Sequence, residues 1–207
     1  MLKRAVSVDE ITKKKFIELE LSPAFEKQLG KPERSGVWFI WGESFNGKTA
    51  FCMQLAKELT KSGMVYYNTL EEGTRKSFQK AVITQNMREV KNKFSIGNKE
   101  PIEELKVRLR RKKSPHIIFI DSIQHAELTK KQYKELIREF DNKLFIFISH
   151  AEGKKPKGSL ADFVRYDADV KIRVEGYKAI FLSRLGGDKE PYIIWAEGAS
   201  QFELKIQ

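Results

Sequence analysis

The sequence predicts an α/β protein with a mostly parallel central sheet, flanking helices and antiparallel C-terminal strands. Three observations carry that expectation. Apolar runs of strand length at 37–41, 117–120 and 144–148 alternate with stretches of helical periodicity, as in a parallel sheet covered on both faces. The first run leads directly into a glycine-rich turn and an amphipathic segment, the order of a phosphate-binding unit. The last quarter changes to short alternating strands joined by Gly-containing turns.

Taken in order, residues 1–35 form a polar N-terminal arm with a short helix or strand, in which Phe16, Leu19, Leu21 and Phe25 can pack. Residues 36–207 form one α/β unit. Val37-Trp38-Phe39-Ile40-Trp41 is a buried strand, and Phe51, Leu55 and Leu59 repeat every fourth residue in a helix from Thr49 to Ser62 that Gly63 stops. Val65–Tyr67 is a short strand, 74–91 a helix and Phe94–Ile96 another strand. Pro101 at a first helical position opens a helix to Lys112. Ile117–Ile120 is a strand ending in Asp121, and a helix from Thr129 to Phe140 leads to the strand Leu144–Ile148. Strands at 169–174, 178–184 and 191–196 complete the chain.

Composition bounds the function. The chain has 207 residues, 41% of them hydrophobic, enough for a core of ordinary domain size. A single cysteine excludes an internal disulfide framework and a cysteine-rich zinc cluster. No apolar run approaches the roughly 20 residues of a membrane helix, and the basic start has no apolar stretch behind it, so a cytoplasmic protein without membrane contact is expected. Thirty-nine basic against 28 acidic residues give a net charge of +11, which favours polyanionic partners.

The strongest motif is Gly42-Glu43-Ser44-Phe45-Asn46-Gly47-Lys48-Thr49, a full match to G-x-x-x-x-G-K-[ST]. Such a match arises by chance in roughly one chain in a hundred of this length, and here it also stands between a buried strand and an amphipathic helix. The glycines let successive backbone N–H groups turn inward toward phosphate oxygens, and the helix start, through Ala50, adds its partial positive charge. Lys48 supplies an ammonium for the β- and γ-phosphates, and the Thr49 hydroxyl is a hard oxygen ligand for Mg²⁺. A phosphate loop calls for a downstream apolar strand ending in a carboxylate; Asp121 meets that need, with helix capping as the bland alternative. Hydrolysis also needs a group that orients and deprotonates water. Glu71 and Glu72 stand at a strand end where open α/β sheets gather ligands, although two acids in a helix's first turn are equally ordinary.

Gly47–Phe51, Thr69–Glu72, Ile120–Gln124 and Asp167-Ala168-Asp169 occur in the order of the motifs of RecA-like P-loop ATPases. The chain resembles this family over about 36–196, most of all the motor domain of DnaB-type replicative helicases and RadA-like proteins. The resemblance implies Mg²⁺ and ATP as cofactors, Glu71 as catalytic base and His150 as a γ-phosphate sensor. It also implies that Arg184 acts across a subunit boundary, and therefore a homo-oligomeric ring or filament, although Leu182 stands where the family often has a lysine. The basic segment Gly153–Gly158, with Lys154, Lys155 and Lys157, falls where the family contacts single-stranded DNA; contacts of that kind are salt-dependent and poor in sequence preference. A second run, Arg108–Lys113, reads more simply as cations at a helix C-terminus. The expectation is a DNA-dependent ATPase, a helicase motor or a recombination ATPase. A non-hydrolytic ATP-binding loader and a P-loop small-molecule kinase remain as alternatives.

Overall fold

The computed structural model describes residues 4–184, 186–188 and 190–204. Its centre is a sheet whose order is β3-β2-β4-β5-β1-β7-β8-β9. The strands are β1 (Gly36–Gly42), β2 (Val65–Thr69), β3 (Phe94–Asn98), β4 (Ile117–Asp121), β5 (Leu144–Glu152), β6 (Lys155–Pro156), β7 (Val170–Glu175), β8 (Lys178–Ser183) and β9 (Tyr192–Ile193). Six strands, β3 to β7 along that order, run parallel; β8 and β9 are antiparallel. The short β6 folds back on β5 as a hairpin, with Ala151 opposite Pro156 and Glu152 opposite Lys155. The expected fold class is the observed one.

The helices are α1 (Val8–Lys13), α2 (Pro23–Leu29), α3 (Lys48–Leu59), α4 (Lys76–Thr84), α5 (Ile102–Leu109), α6 (Lys130–Glu139), α7 (Ser159–Asp167) and α8 (Ala196–Leu204). Side chains alternate across β1 with period two. Trp38 and Ile40 enter the layer with α2, α3 and α4, whereas Val37, Phe39 and Trp41 enter the layer with α5, α6 and α7. Burial on both faces explains why these strands read as continuous apolar runs. Leu19, Phe25 and Leu29 belong to the first layer, while Val6, Val8, Ile11 and Ile17 are exposed. Among the described residues no helix is long and apolar enough to cross a membrane.

Several elements differ from expectation. The helix foreseen over 74–91 stops at Thr84, because Asn86 takes a left-handed φ of 49° before a 3₁₀ turn at Met87–Val90. Pro101 caps α5 in extended conformation instead of occupying its first turn. The segment 191–196 pairs only at Tyr192–Ile193 and then becomes α8, and α7 was not foreseen.

Candidate nucleotide site

Strand register brings the motif residues together. Gly42 is opposite His150 across β1 and β5, and Asp121 is opposite Thr69 across β4 and β2. The backbone N–H groups of Leu70 and Glu71 both donate to Asp121 O, at 2.5 and 3.2 Å. All the candidates from 42 to 50, with Glu71, Asp121 and His150, thus meet at the C-terminal edge of the parallel strands. All of these but Gly42 and Asn46 line a cleft of about 290 Å³, together with Glu72.

The phosphate loop is held from behind. Asn46, expected in the cradle, anchors it: its Oδ1 accepts from Gly176 N at 2.7 Å and its backbone O from Tyr177 N at 3.1 Å. Gly47 has φ of 88°, and a Cβ there would stand 2.9 Å from the Tyr177 ring, so glycine is required twice over. A Cβ on Gly42 would meet Val174 O at 2.3 Å. Gly47 caps α3 without a side chain, leaving the first N–H groups of that helix uncapped and free to take an anion. Lys48 Nζ donates to Gly42 O at 3.0 Å. Phe45, at the loop tip, is 95% exposed.

The acids divide their work. Glu71 Oε2 lies 2.7 Å from His150 Nε2 and 4.0 Å from His125 Nδ1; an ionised carboxylate only accepts, so the proton of the shorter contact rests on His150 Nε2. Glu72 instead accepts from Ser77 Oγ at 2.7 Å, tied to the start of α4. Asp121 Oδ2 accepts from the Tyr67 hydroxyl at 2.5 Å. Burial pushes the Asp121 carboxyl above its usual range; Tyr67 and Lys48 oppose that, and Glu71 and Glu72 add to it.

Among the described residues no three His, Cys, Asp or Glu side chains form a metal cage. Thr49 Oγ1 and the Asp121 carboxylate line one cleft, and this hard-oxygen pair suits an ion that draws the rest of its shell from water and phosphate. The residues fit Mg²⁺.

Two connections leave the cleft toward the lysine segment, which is the β5–β6 hairpin and not an irregular loop. Glu43 Oε1 accepts from Gly153 N at 3.1 Å, and the Trp41 indole donates to Lys154 O at 3.0 Å. Gln124, three residues after Asp121, makes the second link: its Nε2 donates to Ser149 Oγ at 2.8 Å and to Lys157 O at 2.7 Å. Its Oε1 accepts from His150 N at 3.4 Å. Gln124, His125, Tyr67 and Tyr177 went unread as site residues, since their partners are distant in sequence; the polar 3₁₀ turn after the acid-bearing strand was the available signal.

Arg184 is not in the cleft. Ser183 pairs with Val170, itself opposite Trp38 near the start of β1, so Arg184 stands at the opposite edge of the sheet, 3.9 Å from Asp169.

Residues 31–151 match the family described as the AAA domain, more than half of the chain. The chain belongs to the AAA domain family. No curated protein matches it. Among solved structures, the AAA domain here is similar to the flagellar accessory protein FlaH from Methanocaldococcus jannaschii, with a TM-score of 0.62 and 19% identity over 86% of this chain and 97% of that one. A second solved structure, an ATPase domain, is also similar, with a TM-score of 0.52 and 17% identity over 76% of this chain and 80% of that one. At such identities the likeness shows the fold alone, that of a RecA-like P-loop domain.

Proposed function

We propose that the protein hydrolyses ATP with Mg²⁺ and couples the reaction to single-stranded DNA held on the β5–β6 hairpin, as a helicase motor or a recombination ATPase. The observation that carries this reading is the double link of the hairpin, through Glu43 to the phosphate loop and through Gln124 to the end of β4. A change at the phosphates is thereby felt at Lys154, Lys155 and Lys157, whose charges suit a nucleic-acid backbone.

Glu71 takes a proton from water as the water oxygen bonds to the γ-phosphorus and the bond to the bridging oxygen breaks, releasing ADP and phosphate. His150 holds the Glu71 carboxylate at the cleft wall and stands within the cleft itself, which fits a sensor of the γ-phosphate. Lys48 leaves Gly42 O for the β- and γ-oxygens. Thr49 and Asp121 would hold Mg²⁺, which supplies neutralisation of developing charge when bound. Arg184 cannot serve its own cleft from the far edge of the sheet; a role on phosphate would require it to act in trans, in a homo-oligomeric ring or filament.

The test is the ATPase rate with and without single-stranded DNA over a salt series. Stimulation that fades as salt rises is expected, and Gln124→Ala should keep basal turnover within about threefold while losing most of the stimulation. A rate indifferent to DNA at every salt concentration rejects the nucleic-acid part; phosphate transfer to a nucleoside or metabolite would favour a kinase.

A further inference from the structure

We propose that the exposed face of α6 is a second nucleic-acid site, a groove that takes the phosphodiester backbone of a single strand independently of the hairpin. It rests on the nucleic-acid reading above and extends it to residues that reading does not use.

The groove measures about 680 Å³ and is bounded by Lys130, Lys131, Lys134, Glu135, Arg138 and Phe163. Lys130, Lys134 and Arg138 recur every four residues and therefore form one stripe along the helix. All four cations are exposed. The acids nearby are engaged elsewhere: Glu139 is held by Arg110 at 2.7 Å, and Asp162 by Arg165 at 2.9 Å. Glu135 is the one acid of the lining.

Helix electrostatics oppose this arrangement on two counts. Lys130 and Lys131 occupy the first turn of α6, which has no acidic residue and where the macrodipole disfavours cations. Like charges four residues apart repel, first between Lys130 and Lys134 and again between Lys134 and Arg138. The half-buried Phe163 ring then draws the Lys130 and Lys134 ammonium groups over itself, at 5.4 and 5.2 Å from its centroid, concentrating charge instead of dispersing it. Against four cations the lining sets one acid, Glu135, and one ring, Phe163, so the groove keeps an excess of positive charge that an extended polyanion would balance. With both ammonium groups over the ring face, the aromatic positions cations and leaves no platform for bases, so recognition is of phosphate and independent of sequence.

Position supports a nucleic acid over other polyanions. Phe163 lies on α7, which begins directly after the lysine hairpin, so hairpin and groove are joined by one short segment of chain.

The experiment measures binding of a labelled oligothymidylate by fluorescence anisotropy over a salt series. It compares the full chain, the groove variant Lys130→Gln/Lys134→Gln/Arg138→Gln, and the hairpin variant Lys154→Gln/Lys155→Gln/Lys157→Gln. The groove variant should bind at least about tenfold more weakly, with the slope of log affinity against log salt reduced by about 2, at about 0.7 per lost contact. It should melt within about 4 °C of the parent, because relief of the repulsion and loss of the Phe163 contacts oppose one another. Unchanged affinity and slope in the groove variant, with loss in the hairpin variant, overturns the groove and leaves the functional reading intact. Loss in the groove variant with none in the hairpin variant supports the groove and removes the hairpin from that reading. A parent chain that binds phosphatidylserine vesicles but no oligonucleotide, or that binds neither, overturns both.

Discussion

Two helix starts in this molecule, those of α3 and α6, use the same residue type in opposite ways. Both carry lysine and no acid in the first turn. At α6 the side chains cap part of the backbone: Thr129 Oγ1 accepts from Gln132 N at 3.2 Å, while Gln132 Oε1 accepts from Thr129 N at 2.9 Å. This reciprocal box occupies two of the helix-start N–H groups, those of Thr129 and Gln132, and so leaves fewer for an external anion. At α3 the cap is Gly47, with nothing to offer, so the helix start remains a set of open donors behind Lys48. A helix capped by its own side chains meets a polyanion mainly through its cations, whereas an uncapped one reads a phosphate with its main chain. The sequence difference behind this is small, Gly-Lys-Thr against Thr-Lys-Lys-Gln.

The sharpest break in that comparison comes at Lys48. Lys48→Ala leaves the open donors but removes the cation that neutralises the phosphates, so ATP turnover should fall by at least about a hundredfold. Turnover within a fewfold of the parent would mean that the main chain alone does the work. Next comes Glu71→Gln, which keeps the size of the group but ends its basicity. Turnover should fall by about 10²–10⁴ with ATP affinity changed only a fewfold, readable by equilibrium binding of ATP. An unaltered rate removes Glu71 as base.

Asp121 sharpens the contrast from the side of stability. Its folded pKa is raised above the ordinary value of 3.8 by burial. The stability associated with this carboxyl is therefore greatest below 3.8 and is lost as pH rises through the elevated folded value. At neutral pH the ion stands in a site that suits it poorly until a cation arrives. Asp121→Asn should accordingly raise the melting temperature of the nucleotide-free protein by about 2–4 °C while abolishing Mg²⁺-dependent turnover. A lowered melting temperature would mean that the Tyr67 hydrogen bond outweighs the desolvation cost.

How much of this was legible follows from where the partners lie. The strands of the sheet and the phosphate loop were legible because burial on both faces leaves apolar runs, and because Gly42 and Gly47 are demanded by local geometry. Asp121 was legible for the same reason, as the polar end of an apolar run. The anchoring of Asn46 was not legible because its contacts are with Gly176 and Tyr177, some 130 residues away. Gln124 was invisible as a link because its partners include backbone atoms of the hairpin, 26 and 33 residues on. The end of the chain misled in another way: Tyr192 and Ile193 suggest a longer strand, but Gly198 sits inside α8 against the Trp195 ring, and glycine argues against a helix on propensity alone.

The smallest expected effect tests the capped side of the comparison. Thr129→Ala removes the oxygen that accepts from Gln132 N and leaves the Gln132 side chain without its partner hydroxyl. Loss of such a cap costs about 1 kcal/mol, which in a domain of this size lowers the melting temperature by about 2–4 °C. ATP affinity should not move, because no donor of α6 faces the cleft. If the opened helix start also gains affinity for inorganic phosphate, seen as stabilisation by phosphate that the parent lacks, then capping alone separates the two helices. If phosphate has no effect on the variant, the α3 site depends on more than free donors. The tight backing of Asn46 and Tyr177, which holds the loop open against β7, is then what the α6 start lacks.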